Sequence, residues 1–450
     1  MATPEVTTRI LRRLLASGVH SRAERLLARM APADVAPLLS GLTREETATV
    51  IDLLFRQRRA ARVLRELPPE MLPVIFGAVS DERLAGVLNR LEIDDLIELV
   101  DWIPEERREV VVGHLPDAVR AELQKAALYP PSSAGRVMMT TFVALDEKMT
   151  AQEAIDALRA RADDDASILY LYVVDDQRAL RGVVPIRRLV QAPPARLIRD
   201  LMIPDPVSVH PDADQEEVAQ IVARYDLLAV PVTDVDGRML GVITVDDVID
   251  VITEEATEDM YHLAGLSEAD RVFVPAHTSV RKRMPWMLVN LGTAFLAAWV
   301  VGLFERTLEQ VVALAIFMPV VAGMGGNGGV QALTVITRGI ALGEIEFSSG
   351  LRAASKELLV GVVLGIVTGL VAAAICTYTV GSSAIGLALF LSMVLTMAMA
   401  GLVGATVPLL LKAVRLDPAL GAGVIVTTFS DVFAFFSFLG IGTLLIDRLT

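Results

Sequence analysis

The hydrophobic rhythm of the chain changes twice. Up to about residue 130, apolar residues recur at helical spacing inside short segments that restart every 12 residues: Leu67-Pro-Pro-Glu, Val79-Ser-Asp-Glu, Leu91-Glu-Ile-Asp, Ile103-Pro-Glu-Glu and Leu115-Pro-Asp-Ala. Met30-Ala-Pro-Ala and Leu42-Thr-Arg-Glu fall in phase with each other upstream. Each segment opens on helix-start residues and continues as an amphipathic run, which predicts short stacked helices in a solenoid-like all-α domain over residues 1–130. From 131 to 252 the period alternates, with β-rich runs such as Tyr170–Val174 and Leu228–Val232 between helical segments. Beyond 281 the pattern becomes long and apolar. A membrane span needs about 20 apolar residues. Pro285–Phe304, Val311–Thr337 and Leu420–Ile446 each meet that length, and Leu358–Leu411, which carries no charge, is long enough for two helices with a break at Gly381-Ser382-Ser383. Five spans follow, in a pore or anchor domain over 281–450.

The middle region is duplicated. Val137-Met-Met-Thr-Thr-Phe-Val-Ala-Leu matches Leu201-Met-Ile-Pro-Asp-Pro-Val-Ser-Val, and Leu180-Arg-Gly182-Val-Val-Pro matches Leu240-Gly241-Val-Ile-Thr. Two β-α-β-β-α copies, 131–199 and 200–252, can pack as an internal pseudo-dimer. They resemble a pair of cystathionine-β-synthase-type (CBS) repeats, and that resemblance implies a ligand sensor.

Charge separates the regions further. Of a net charge of −14, residues 284–450 contribute only −1, from 8 Asp/Glu and 7 Lys/Arg. An acidic module is therefore joined to a nearly uncharged one, and the acidic balance excludes nucleic acid as a partner. The single cysteine, Cys376, excludes an intrachain disulfide. The first residues have scattered Arg and no apolar core, so no signal peptide is expected. With the N-terminus inside, the inner segments hold Arg281, Lys282, Arg283, Arg338, Arg352, Lys356, Lys412 and Arg415, and the outer ones only Arg306 and Arg448. That asymmetry predicts a cytosolic acidic module and an outer C-terminus.

Two sets of residues carry candidate chemistry. Between 200 and 260 there are 16 Asp/Glu against Arg224 and Arg238, and Asp247, Asp250, Glu254 and Glu258 lie along one helical face in a connecting segment over 245–280. A charge run is usually a solvated face. Here almost no bases intervene, and hard oxygen ligands suit Mg²⁺ or Ca²⁺. In the last span, Asp431 is the one charge in Thr427-Thr428-Phe429-Ser430-Asp431 and its apolar surroundings. An intramembrane acid marks an ion path more often than a structural hydrogen bond, and its sign selects a cation. The second span reads Pro319-Val-Val-Ala-Gly323-Met-Gly325-Gly326-Asn327-Gly328-Gly329-Val-Gln331. Glycines of this density suit close helix packing. Asn327 and Gln331, four apart on one face, add a polar stripe, so a broken or tightly packed helix lining a permeation path is the second expectation.

In this order, solenoid, CBS pair, acidic helix and five spans with Pro-x-x-x-Gly-x-Gly-Gly-Asn-x-Gly-x-Gln and Thr-x-Ser-Asp motifs, the whole chain resembles the MgtE family of bacterial magnesium channels. The resemblance implies an inner-membrane homodimer in the lipid bilayer. Its pore would be built from Asp431, Asn327, Gln331, Gly325, Gly326 and Thr428, with Asp431 holding a largely hydrated Mg²⁺. It also implies closure by cytosolic Mg²⁺ bound among Asp94, Asp95, Asp214, Glu216, Asp226, Asp247, Asp250, Glu255, Glu258 and Asp259, the last ones on a plug helix within 245–265. ATP is a further candidate ligand, at Thr244 and Asp247 of Gly241-Val-Ile-Thr-Val-Asp-Asp. The first repeat has Arg187 and Arg188 where ribose-binding Asp is common. Gly401 and Gly423-Val424 depart from the family pattern, which implies altered pore polarity or selectivity. The alternatives are transport of Co²⁺ or Mn²⁺ on the same fold and a membrane-anchored sensor without transport. A CBS-regulated chloride channel would want a basic or amide-lined filter and more helices. No nucleophile–base pairing, Cys/His metal site or phosphate loop points to an enzyme.

Overall fold

The computed structural model describes residues 4–56, 60–160, 170–266, 270, 274, 276–345, 349–414 and 416–445. Arg415 and Arg448, which entered the orientation above, and the end of the fifth apolar run at Ile446 lie outside the described residues. The chain forms two compact units, Met1–Ile252 and Thr253–Thr450.

In the first unit the described helices begin with α1 (Pro4–Ala16), α2 (His20–Arg29), α3 (Pro32–Ser40), α4 (Arg44–Phe55), α5 (Ala60–Arg65), α6 (Leu72–Ala78), α7 (Asp81–Leu88), α8 (Ile93–Asp101), α9 (Glu105–Gly113) and α10 (Asp117–Ala126). A one-turn helix starts at Pro69 ahead of α6, and α7 to α10 start at 81, 93, 105 and 117, so the sequence period is one helix plus its turn. The apolar positions of successive segments, among them Leu11, Leu27, Phe76, Leu84 and Leu88, meet in one continuous buried core. Starts are fixed by caps: Thr43 Oγ1 accepts from the Glu46 N–H at 3.4 Å, while the Thr43 N–H donates to Glu46 Oε2 at 2.9 Å. Arg107 of α9 ties neighbouring segments by donating to the carbonyls of Phe76 and Val79 at 2.6 and 2.7 Å and to Asp81.

The duplicated region supplies α11 (Ala134–Val137), β1 (Ala144–Asp146), α12 (Ala151–Ala160), β2 (Tyr170–Val174), β3 (Leu180–Pro185), α13 (Ile186–Gln191), β4 (Ile203–Pro204), α14 (Gln215–Tyr225), β5 (Ala229–Thr233), β6 (Met239–Thr244) and α15 (Val245–Leu263). The copies form the expected pseudo-dimer by exchanging their opening segments. Ile203 of the second copy pairs with Val183 in the first copy's sheet, and Met139 of the first copy pairs with Val242 in the second's. These are the positions that the duplication aligns. Gly182 and Gly241 permit both crossings, because a Cβ there would lie 2.7 Å from Met202 Sδ or 2.6 Å from the Met139 carbonyl.

The second unit holds five helices long and apolar enough to cross a membrane: α16 (Ala276–Gly302), α18 (Ala313–Ala341), α19 (Gly350–Val380), α20 (Ser383–Ala413) and α21 (Ala422–Leu444), with the short α17 (Glu305–Gln310) after the first. The break between α19 and α20 falls where expected, with Gly381 left-handed at φ 77° and the Ser382 side chain capping α20. α20 is the hub, packing on α18, α19 and α21. Gly361, Gly365 and Gly369 of α19 face Met397, Val394 and Phe390 of α20, and a Cβ at Gly361 would lie 2.2 Å from the Met397 carbonyl. Small residues here let backbones touch, which is what drives helix association in lipid. α18 runs unbroken through all its glycines, so the broken-helix alternative for the second span does not hold.

Candidate functional site

Asp431 lies near the middle of α21, whose 23 residues rise roughly 35 Å. It is partly buried, and among the described residues nothing donates to it or pairs with it. Ser430 before it is buried, its hydroxyl without a partner among the described residues, and lies against Gly325 and Gly329 of α18. Two turns on, Ser437 shares hydrogen bonds with Ser392 and Thr396 of α20 at 3.1 and 3.2 Å, a buried hydroxyl cluster that no sequence motif announced. Thr428 spends its proton locally, donating to the Val424 carbonyl at 2.6 Å, and keeps only acceptor capacity.

The glycine-dense helix has two faces. Gly325, Gly328 and Gly329 touch Thr396, Met397 and Val426, so close packing accounts for these three. Gly323 and Gly326 face open space, and with Asn327, Val330, Gln331 and Thr334 they form an exposed strip. Asn327 is therefore turned away from the packed glycine face. Gln331 lines a cavity of about 220 Å³ with Gly328, Lys356, Glu357, Met397 and Gly401. Glu357 is a second buried carboxylate in the membrane unit, 8% exposed and paired with Lys356 at 2.9 Å. Sequence reading missed it because α19 starts at Gly350, so Lys356 and Glu357 belong to its second turn and not to a loop. Gly401 and Gly423 take their identity from backbone approach: a Cβ at Gly401 would lie 2.5 Å from the Glu357 carbonyl, and one at Gly423 would lie 2.3 Å from the Leu263 carbonyl.

In the first unit, acids from two helix starts converge. Glu92 precedes α8, Asp94 and Asp95 occupy its first turn, and Asp246 and Asp247 open α15. Each start alone favours anions, but together they crowd. Burial, then Asp247, Asp95 and Glu92, push the Asp94 carboxyl up to about 8. Burial, with Glu92 and Asp247, raises Asp95 to about 6 against the opposing pull of Arg65, which stands 3.5 Å away. Asp247 and Asp250 are also raised, chiefly by burial. Asp94 Oδ1 is buried and has no hydrogen-bond partner among the described residues, an orphan acceptor that a hard cation satisfies. Thr244 Oγ1 lies 2.6 Å from Asp247 Oδ2 and 2.5 Å from Asp246 Oδ1, so the two candidate nucleotide contacts are bound to each other.

The other candidates do not join this cluster. Asp214 caps α14, accepting from the Glu216 N–H at 2.9 Å, and Asp226 closes the same helix at its far end with a left-handed backbone at φ 51°. Eleven residues of helix put the ends roughly 16 Å apart. In the second unit, Asp259 is raised to about 6 by burial and by Asp417 and Glu255. Glu258 lies near His262, which meets Asp417.

Comparison with known proteins places these features in context. Residues 318–441 match the family model for the divalent cation transporter MgtE, residues 30–132 the MgtE intracellular N domain, and residues 134–195 and 198–254 the CBS domain. The chain is 34% identical to the magnesium transporter MgtE of Thermus thermophilus over 97% of its own length and 98% of that protein's. It is 30% identical to the magnesium transporter MgtE of Bacillus subtilis over 86% of each. Among solved structures it resembles the cytosolic domain of the Mg²⁺ channel MgtE in complex with ATP, with a TM-score of 0.52 at 35% identity over 54% of this chain and 99% of that one.

Proposed function

We propose that this chain, which belongs to the MgtE family of divalent cation transporters, carries Mg²⁺ across the inner membrane along a path between two copies of itself, past Asp431, and that cytosolic Mg²⁺ closes the path. The observation that carries the proposal is the isolation of Asp431: a carboxylate midway along an apolar helix, with no partner among the described residues. A charge so placed costs several kcal/mol unless water or an ion meets it. A second copy supplies the rest of the path. Asn327, Gln331 and Gly326 lie on a face of α18 that its own bundle leaves open, and a polar strip facing hydrocarbon is unfavourable. Two such strips facing each other, with two Asp431 carboxylates, offer oxygen donors to a cation that keeps its water shell.

For closure, Asp94, Asp95 and Asp247 fit a hard divalent ion by donor type, by mutual repulsion and by the orphan Oδ1 of Asp94. Glu255, Glu258 and Asp259 extend the series along α15, and Asp214, Glu216 and Asp226 serve only where a second copy or a hydrated ion brings them together. Binding of Mg²⁺ favours whichever state brings these acids together, and the bias is its difference in affinity between states. Thr244 and Asp247 form the nucleotide position. The basic inner loops support a cytosolic N-terminus and an outer C-terminus.

The test is Mg²⁺ influx into proteoliposomes loaded with a fluorescent Mg²⁺ reporter, wild type against Asp431→Asn. Wild type conducts and the variant loses about two orders of magnitude of flux, the equivalent of an intramembrane charge contact. No flux in folded wild type at low cytosolic Mg²⁺ rejects the reading. Saturable competition by Co²⁺ or Mn²⁺ at equal concentration removes Mg²⁺ selectivity from it.

A further inference from the structure

At the end of α15, three side chains of different chemistry come within reach of one ion. His262 Nδ1 lies 2.5 Å from Asp417 Oδ2 and 3.6 Å from Glu258 Oε1. One ligand atom from each residue falls within 4.8 Å of the others. Glu258 and His262 are four apart on α15, the spacing by which one helix face offers two ligands. Asp417 comes from the turn before α21 and is held in place, since its Oδ1 accepts the Ala419 N–H at 2.8 Å and leaves Oδ2 to His262. Such orienting bonds on the outer oxygen of a carboxylate are typical of metal ligands. The imidazole is also enclosed, at 18% exposure.

We propose that Glu258, His262 and Asp417 form a site for a borderline divalent cation of the Mn²⁺, Co²⁺, Ni²⁺ and Zn²⁺ series, distinct in selectivity from the all-oxygen acidic cluster around Asp94. The imidazole nitrogen decides the class. Mg²⁺ and Ca²⁺ prefer oxygen, whereas an imidazole with two carboxylates suits first-row transition ions. On binding, the Nδ1 lone pair and the two carboxylate oxygens become ligands, and any proton shared between Nδ1 and Asp417 passes to solvent. Ligand atoms about 2.1 Å from a metal stand roughly 3 Å apart, so the His262–Asp417 contact opens by about half an ångström and Glu258 closes by a similar amount. The ion then joins the last turn of α15 to the turn that leads into α21, the helix of Asp431. The site rests on this local geometry; its bearing on flux rests on the closure reading above.

The experiment is equilibrium binding of Co²⁺ to the full-length protein in detergent with Mg²⁺ in large excess, so that all-oxygen sites are filled, read by dialysis and by the visible absorption of the bound ion. Wild type retains about one Co²⁺ per chain, and His262→Ala and His262→Gln each lose about tenfold or more in affinity, as removal of a direct ligand must at least match the loss of an orienting one. The Gln variant keeps a donor toward Asp417 and so separates ligation from folding. With Mn²⁺ as the probe, nitrogen couplings in pulsed paramagnetic resonance appear in wild type and vanish in both variants. Equal Co²⁺ affinity in wild type and both variants, or a bound ion without a nitrogen ligand, overturns the site. The two readings fail separately. Flux insensitive to Mg²⁺ in the wild type rejects closure while Co²⁺ binding stands, and unchanged Co²⁺ binding in the variants rejects this site while Mg²⁺ closure stands.

Discussion

Asp431 and Asp94 are both withdrawn from bulk water, and their surroundings are opposite. Asp431 has no ionisable neighbour among the described residues and sits in a helix of apolar and small side chains. Asp94 is pressed against Asp95, Glu92 and Asp247, with Arg65 as the nearest base of the cluster. Each leaves a need that a cation fills, one from solitude and one from crowding. A solitary carboxylate between two water-filled faces holds an ion loosely enough to pass it on. Crowded carboxylates are stabilised by capture, and capture changes which arrangement of the chain is favoured. The same side chain thus suits conduction in one place and sensing in the other.

The comparison can be broken most sharply by deleting residues 1–265. The remaining spans are expected to conduct Mg²⁺ in proteoliposomes with closure by internal Mg²⁺ abolished; a truncated protein still shut by Mg²⁺ removes the crowded site from gating. Next comes the amide swap on the crowded side. Asp94→Asn relieves repulsion instead of removing a needed charge, so the Mg²⁺-free protein is expected to unfold about 2–4 °C higher than wild type in a thermal melt, and Mg²⁺ to add less stability than it does to wild type. Asp431→Asn shows neither effect in the same melt.

A pH series sharpens the contrast further. The carboxyls of Asp94 and Asp95 titrate at about 8 and about 6 in the folded protein, above their ordinary value of 3.8. The folded state therefore holds more protons between those limits, and stability contributed by these groups is greatest at low pH and falls as pH rises through about 6 and then about 8. Mg²⁺ requires the ionised forms, so at pH about 7 its addition is expected to release protons, roughly one per chain, measurable with an indicator dye in weak buffer. Asp94→Asn is expected to abolish most of that release. The smallest expected effect is a reference: Thr43→Ala removes the cap of α4, far from both acids in sequence, and should cost about 1 kcal/mol whether or not Mg²⁺ is present.

Much of the architecture was legible because periodicity is a local property. The 12-residue starts became α7 to α10 at the same spacing, and the five apolar runs became five long helices. Asp431 stood out because nothing charged lies near it in sequence either. What stayed hidden depends on contacts between distant segments. The exchange of Ile203 and Met139 between the CBS copies reads as ordinary duplication until the strands pair. Asp214 and Asp226 look like ligands in a list of acids, yet each is occupied in ending a helix. Arg65 enters the acidic cluster from a helix about 30 residues earlier and carries no motif. Gly401 and Gly423 suggested a change of pore polarity, whereas each marks a place where one backbone meets another.

The approach of Gly423 to the Leu263 carbonyl has a mechanical consequence. Every other contact named between α15 and the segment around α21 involves a side chain that a proton or a metal can engage. The glycine contact is blind to solution conditions, because hydrogen and a main-chain oxygen meet with no room for anything else. It acts as a hard stop that sets how deeply the end of α15 can seat, whatever ions are present. A methyl group at 423 would work as a shim of fixed thickness, shifting the resting point of that helix without altering a single charge.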